Sequence, residues 1–290
     1  MKVGVIVELL GKPLLEGIAE AARIGAEGIQ IYGGHGGHGY NFTDLKDDEI
    51  KQIRDACHSN NLDITAVCGD IGGGSFQVAS EASGRVDVAK KVLDNMAKLG
   101  GVTVMTTHIG CVPDSPQDPV YETMVKSVRE AAEHARGLGL KFAIETGPEL
   151  ADVLKRFIVD VDSPALGVNL DPANLRGVSG EDPVYAVETL APYILHTHAK
   201  DAINTHVGSA ARFYGMRNPD GSVREYSARA AGFQEVPLGQ GMVPWEAYLK
   251  ALKDSGFDGY LTIERECGEN PARDIQIAIA FLRYQLTKLF

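Results

Sequence analysis

Residues 141–171 read KFAIETGPELADVLKRFIVDVDSPALGVNLD, one complete strand–helix–strand unit. Two short apolar runs, Lys141 to Glu145 and Ala165 to Leu170, flank a segment of helical period, and acidic residues stand at the two run ends, Glu145 and Asp171. Runs rich in Val, Ile and Leu with no interior proline are what buried parallel strands require. The same unit recurs on both sides, with further candidate strands at Lys2 to Glu8, Gly28 to Tyr32, Leu62 to Cys68, Val102 to His108, Tyr193 to His198 and Gly259 to Glu264. Helical spacing is plain between them. Val86, Ala89, Leu93, Met96 and Leu99 share one face before Gly100-Gly101, and Val120, Met124, Val128, Ala131, Ala135 and Leu138 share another before Gly139. Pro13, Pro183, Pro244 and Pro271 sit near helix starts, where a missing amide hydrogen costs little.

Eight such units predict an α/β fold, a (β/α)8 TIM barrel, with residues 1–290 as one domain. Strand ends lie 24 to 40 residues apart until the last gap, which is 66. The surplus falls between Ala199 and Gly241, a polar stretch without clear period that reads as a long loop after strand seven. A doubly wound sheet is the competing architecture; eight evenly spaced units favour closure.

Composition narrows the function. Thirty-nine acidic against 28 basic residues give a formal charge of −11, which disfavours DNA or RNA as a principal partner. Cys57, Cys68, Cys111 and Cys267 are widely spaced and form no CxxC pair, as expected of reduced thiols in a cytoplasmic protein. The apolar run Val3 to Val7 is interrupted by Glu8, Lys12 and Pro13, too soon for a signal peptide or a membrane span.

Barrels keep their working groups at the carboxyl ends of the strands. Those positions hold Glu8, Tyr32, Asp70, His108, Glu145, Asp171, His198 and Glu264. The last four stand on four successive strands, so their side chains converge. Any one acidic residue there also reads as the cap of the next helix, and any one histidine as a hydrogen-bonded core residue. Three carboxylates gathered at one point repel one another unless a cation neutralises them. Three carboxylates and an imidazole suit Mn2+, Co2+, Mg2+ or Fe2+ better than a structural zinc.

The motifs AIETG at Glu145, VNLDPANL at Asp171, HTHAKD at His198, PLGQGMVPW at residues 237–245 and LTIERE at Glu264 resemble the xylose-isomerase-like barrel superfamily, which includes sugar isomerases, epimerases and apurinic-site endonucleases. The resemblance covers the chain after strand four. It implies one divalent ion, Mn2+ first with Co2+ or Mg2+ as alternatives, bound by Glu145, Asp171, His198 and Glu264. It further implies a ketose 3-epimerase or aldose–ketose isomerase acting on a small sugar or sugar phosphate. Glu145 and Glu264 would exchange the substrate proton through a metal-stabilised enediolate. His196 faces the same way one layer deeper and reads as packing or support. A dimer or tetramer is compatible with the resemblance, and no membrane partner is expected.

Several departures and additions matter. Asn174 stands where several relatives carry a second histidine, so it is expected to orient a ligand or bind a hydroxyl. Strand three ends in Cys68-Gly69-Asp70, and His206 follows Asp201 by five residues, so the histidines of a trinuclear nuclease site are missing. His108, in TTHIG, is expected to contact substrate or move a proton, or else to hold the next loop. Lys200 and Asp201 read either as an ion pair fixing the loop or as substrate contacts. GGHGGHGYN at 33–41, with His35 and His38, reads as a flexible lid. Gly72-Gly73-Gly74-Ser75 is a weak phosphate cradle, having no helix directly behind it. Arg212, Arg217, Arg224 and Arg229 populate the long loop; Arg217 is the expected substrate contact, and a solvated loop face is the alternative, since Asp220, Glu225 and Glu235 lie among them. Trp245 reads as core, and neither Cys68 nor Cys111 has a neighbouring base to make it a nucleophile. Two other functions fit the same residues: a dehydratase expelling a β-hydroxyl, like the inosose dehydratases, and a catalytically silent sugar-binding barrel. Intact Glu145 and Glu264 argue against the latter.

Overall fold

The structure, a computed structural model, describes residues 1–34, 40–147, 149–207, 217–222 and 231–290. The expected lid histidines His35 and His38, and Arg212, Arg224 and Arg229, lie outside them.

Eight parallel strands close into a barrel. In chain order β1 to β7 are Lys2–Ile6, Gly28–Tyr32, Asp63–Cys68, Val104–Thr107, Lys141–Glu145, Leu166–Leu170 and Ile194–Ala199. The barrel is completed by β10, Tyr260–Ile263, which pairs with both β1 and β7. The helices α1 to α8 are Leu14–Ile24, Asp47–Ser59, Ala79–Leu99, Tyr121–Gly137, Ala151–Val161, Pro183–Leu190, Trp245–Asp254 and Pro271–Leu289.

The helices form where apolar spacing and terminal signals agree. Val153, Leu154, Phe157, Ile158 and Val161 put one face of α5 into the core. Gly100 and Gly101, both at positive φ, end α3. Asp182 and Asn270 cap α6 and α8, accepting hydrogen bonds from the amides of Val184 and Arg273 just ahead of Pro183 and Pro271 at the first helical position. No helix among the described residues is long and apolar enough to cross a membrane.

Three expectations need correction. The first strand stops at Ile6, not Glu8; Val7–Leu10 is a turn of 3-10 helix that carries Glu8 inward. The fourth is shorter than expected, Val104–Thr107, with His108 just beyond it. The stretch after strand seven is not a bare loop. It begins and ends as an antiparallel ribbon, β8 at Asp201–Val207 paired with β9 at Ala231–Val236. Ribbon strands separated by more than 20 residues leave no tight-turn signal in sequence, which is why periodicity missed them.

Candidate functional site

Glu145 ends β5, Asp171 follows β6, His198 lies in β7 and Glu264 follows β10. Barrel register brings them level: Glu145 pairs with Asn169 on β6, and His198 with Thr262 on β10. One ligand atom from each of the four falls within 4.8 Å of the others, and all four residues are buried. The His198 Nδ1 atom is 3.1 Å from Glu264 Oε2, 3.4 Å from Glu145 Oε1 and 3.6 Å from Asp171 Oδ2. Asp171 caps the next turn, as one sequence reading expects, and also joins the cluster. Its Oδ1 caps the short turn Pro172–Asn174, accepting from the amides of Ala173 and Asn174 at 2.8 and 2.9 Å. Its Oδ2 is buried without a hydrogen-bond partner, while the buried Glu264 Oε2 is met by the Lys200 ammonium at 3.0 Å and His198 Nδ1 at 3.1 Å. A buried carboxylate oxygen left without a donor costs several kcal/mol, roughly, unless a cation meets it. The donor set, three carboxylates and one imidazole, therefore fits a hard divalent ion.

Two amides that the sequence reading did not single out, Gln30 and Asn169, hold the candidate ligands together with Asn174, which it did. Gln30 Oε1 on β2 lies 3.1 Å from His198 Nε2 and offers an acceptor for a proton carried there, with Nδ1 turned to the cluster. Asn169 donates to Glu145 Oε2 at 3.4 Å, and its Oδ1 lies 2.9 Å from His196 Nδ1. A register shift between Val168 and Asn169 sets Asn169 opposite His196. His196 also reaches Thr65 and Thr262 and lies beneath the cluster, as its supporting role required. Asn174 donates to Glu145 Oε1 at 3.2 Å and to the Thr146 carbonyl, so it orients a ligand.

The cluster forms one wall of a cavity of about 500 Å3 that is also lined by Gln30, Tyr32, Cys68, Asp70, His108, Lys200 and Glu266. His108 stands at this cavity with Nδ1 2.7 Å from Asp70 Oδ2 and Nε2 3.7 Å from Glu145 Oε1. Asp70 is held on several sides: it accepts from Thr107 Oγ1 at 2.6 Å and from the His108 amide at 3.0 Å. Burial opposes the charge on both partners of this dyad, but each offsets it for the other. His108, facing Glu145 and Asp70, is held up to about 10, and Asp70, facing His108, down to about 2. Burial pushes the Cys68 thiol well up, away from the thiolate form that a nucleophile requires.

Lys200 does not pair with Asp201. Its ammonium lies 3.0 Å from Glu264 and 2.8 Å from Glu266, at the cavity wall. Burial would strip its proton, yet Glu264 and Asp171 hold it protonated, and Lys200 in turn keeps Glu264 ionised against its own burial. With no cation closer than that lysine and the shared His198, burial leaves Asp171 raised to about 6. Asp201 instead receives the amides of Gly239 and Gly241 on Oδ2 and of Val243 on Oδ1, together with Trp245 Nε1 at 3.0 Å. A side chain at Gly241 would collide with that carboxylate, which explains the glycine in PLGQGMVPW. Glu235 on β9 pairs with Arg265 at 2.6 Å and accepts the Glu266 amide, clamping the segment that follows Glu264. Arg217 is not among the residues lining the central cavity. It lines a neighbouring cleft, and its amide donates to Gln77 Oε1 at 2.8 Å.

A family model described as xylose isomerase-like TIM barrel matches residues 18–285. An inosose dehydratase of Lacticaseibacillus casei is 23% identical over 176 residues, 58% of this chain and 54% of the relative, so this chain spans about half that relative's length. A fructoselysine 3-epimerase of Escherichia coli O157:H7 is 23% identical over 259 residues, 87% and 85% of the two chains. The crystal structure of a xylose isomerase domain protein from Planctomyces limnophilus superposes with a TM-score of 0.75 at 28% identity, covering 99% of this chain and 97% of that one.

Proposed function

The chain belongs to the xylose isomerase-like TIM barrel family, and from that premise we propose that it is a divalent-metal-dependent isomerase or 3-epimerase of a small sugar or sugar phosphate. The observation that carries this reading is the buried convergence of three carboxylates and an imidazole, Glu145, Asp171, Glu264 and His198, with Asp171 Oδ2 facing His198 Nδ1 and having no hydrogen-bond partner. Mn2+ is the expected ion, with Co2+ and Mg2+ as rivals, and four cysteines without a disulfide among them suit a cytoplasmic setting. Held by Glu145, Asp171, His198 and Glu264, such an ion supplies Lewis acidity to a ketose carbonyl and its neighbouring hydroxyl.

The protein's own groups do the rest. Glu145 and Glu264 present carboxylates to the cavity, one to take the proton from the carbon beside the carbonyl and the other to return one, through an enediolate. Asn174 and Asn169 hold Glu145 in place, and Lys200 keeps Glu264 ionised and ready to accept. His108, fixed by Asp70, places an N–H donor at the cavity where oxygen charge develops.

The Asp70–His108 pair also favours a second reading. A dehydratase needs an acid to protonate the departing hydroxyl, and His108 Nε2, 3.7 Å from Glu145 Oε1, is placed to serve. Proton NMR of the metal-loaded protein in D2O, with a panel of free and phosphorylated ketoses, decides between them. Deuterium at C3 with retention of the hydroxyls is the result expected of an epimerase, and exchange at C1 or C2 with conversion to an aldose that of an isomerase. Loss of water replaces both with the dehydratase. Absence of exchange across the panel from metal-loaded protein overturns the proposal.

A further inference from the structure

A second cleft, of about 380 Å3, opens beside the central cavity and shares Asp70 and His108 with it as a common wall. We infer that this cleft is a subsite for an anionic group, a phosphate or a carboxylate, at the far end of the same small substrate. The inference rests on the proposed reaction for the substrate's other end, and on the following geometry for this one.

Arg85, on α3, lines the cleft while only 4% exposed, and its Nη1 has no hydrogen-bond partner. Its orientation is fixed: Nη2 donates to Thr107 Oγ1 at 2.6 Å, and the guanidinium lies 4.7 Å from the centre of the Phe76 ring. Asp70 meets it through Nη2 alone and leaves Nη1 without a partner. The two are 3.4 Å apart, and the Asp70 oxygens are already engaged by Thr107 and by the amide and ring of His108. Arg217 supplies a second guanidinium, tethered by Nη1 to the Gly221 carbonyl at 3.0 Å. Gly72, Gly73 and Gly74 follow one another at positive φ, a path closed to other residues, and their amides have no acceptor among the described residues. Glu81 on the first turn of α3 is the other carboxylate near the cleft, against Gly74. Two guanidiniums, free backbone amides and the Ser75 hydroxyl around one concavity are the donors that a phosphate or carboxylate recruits. No helix start is needed, since α3 begins only at Ala79.

D-fructose, D-fructose 6-phosphate and D-fructuronate share one carbon skeleton and differ at C6 in charge and group, so calorimetric titration of the metal-loaded protein with the three is the test. Both anionic sugars should bind at least about tenfold more tightly than fructose, and the better of them names the group. Arg217→Ala, at the half-buried cleft edge, should reduce that ratio by about tenfold; Arg85→Lys, which keeps the charge but not the planar fork, should reduce it less. Equal affinities for the three sugars, or a ratio indifferent to Arg217→Ala, overturns the subsite. Inorganic phosphate probes the cleft independently of the reaction. Its 31P line should broaden with chelator-treated protein and sharpen again with Arg217→Ala; no broadening overturns the subsite too. Phosphate binding without deuterium exchange on any ketose would instead retain the subsite and discard the proposed reaction.

Discussion

Glu264 and Glu8 stand just beyond β10 and β1, hydrogen-bonded neighbours in one barrel, and both are buried. Their surroundings part company completely. Glu264 has Lys200 at 3.0 Å and His198 at 3.1 Å, and these hold it ionised well below the usual carboxylate range in spite of burial. Among the described residues Glu8 has only the amides of Tyr32 and itself, its Oε2 has no partner, and burial pushes it up to about 8. A strand-end glutamate becomes part of a charged centre only where neighbouring strands bring countercharge. The half of the rim built by β5, β6, β7 and β10 does so for its carboxylates, while the described residues of the other half bring none to Glu8.

The strongest way to break this contrast is Glu264→Gln. It should lower kcat by roughly 10^3-fold or more in protein that circular dichroism shows to be folded, and near-normal turnover in steady-state assays would remove Glu264 from the chemistry. A strong chelator should abolish turnover as well and lower the melting temperature, with Mn2+ or Co2+ restoring both. His108→Asn is expected to cost less, about 10^2-fold in kcat, with metal affinity close to the parent's. A drop in metal affinity instead, measured by titration calorimetry, would make His108 a prop for Glu145 rather than a proton donor.

Next in size comes Gln30→Leu, which removes the acceptor beside His198 Nε2. Metal affinity should fall about 10- to 100-fold, and an unchanged affinity would mean that Gln30 only fills space. The smallest effect tests the other half of the rim. Since Glu8 prefers to be neutral in the folded state, the stability tied to its proton is present below the ordinary value near 4.5 and is lost as the pH rises through about 8. Glu8→Gln should therefore melt about 2–4 °C above the parent at pH 9 and close to it at pH 5. A gap that does not widen with pH would place a cation beside Glu8 after all.

The barrel could be read from the sequence because each buried strand announces itself locally, as KFAIE and LGVNL do. The four clustered residues were legible for the same reason, as polar endings on apolar runs. Of what holds them, only Asn174 was. Gln30 meets His198 across 168 positions and Asp70 meets His108 across 38, and no local pattern encodes such a meeting. A glutamine inside Gly28–Tyr32 and an asparagine inside Leu166–Leu170 were the only available signals, one polar residue in each of two strands with no exposed face to put it on. Lys200 and Asp201 show the limit most plainly. Adjacent in sequence, they alternate across a strand edge and so serve opposite sides, one the cavity and the other the glycine segment of residues 239–241.

The clamp around Asp201 has an evolutionary consequence. Because β8 and β9 leave and rejoin the barrel side by side, with Asp201 and Glu235 fastening the two ends, the length of chain joining them is nearly decoupled from the barrel. Doubling such a length costs only about 0.6 kcal/mol in closure entropy, so insertions and deletions there are expected to be tolerated with the places of His198 and Glu264 kept.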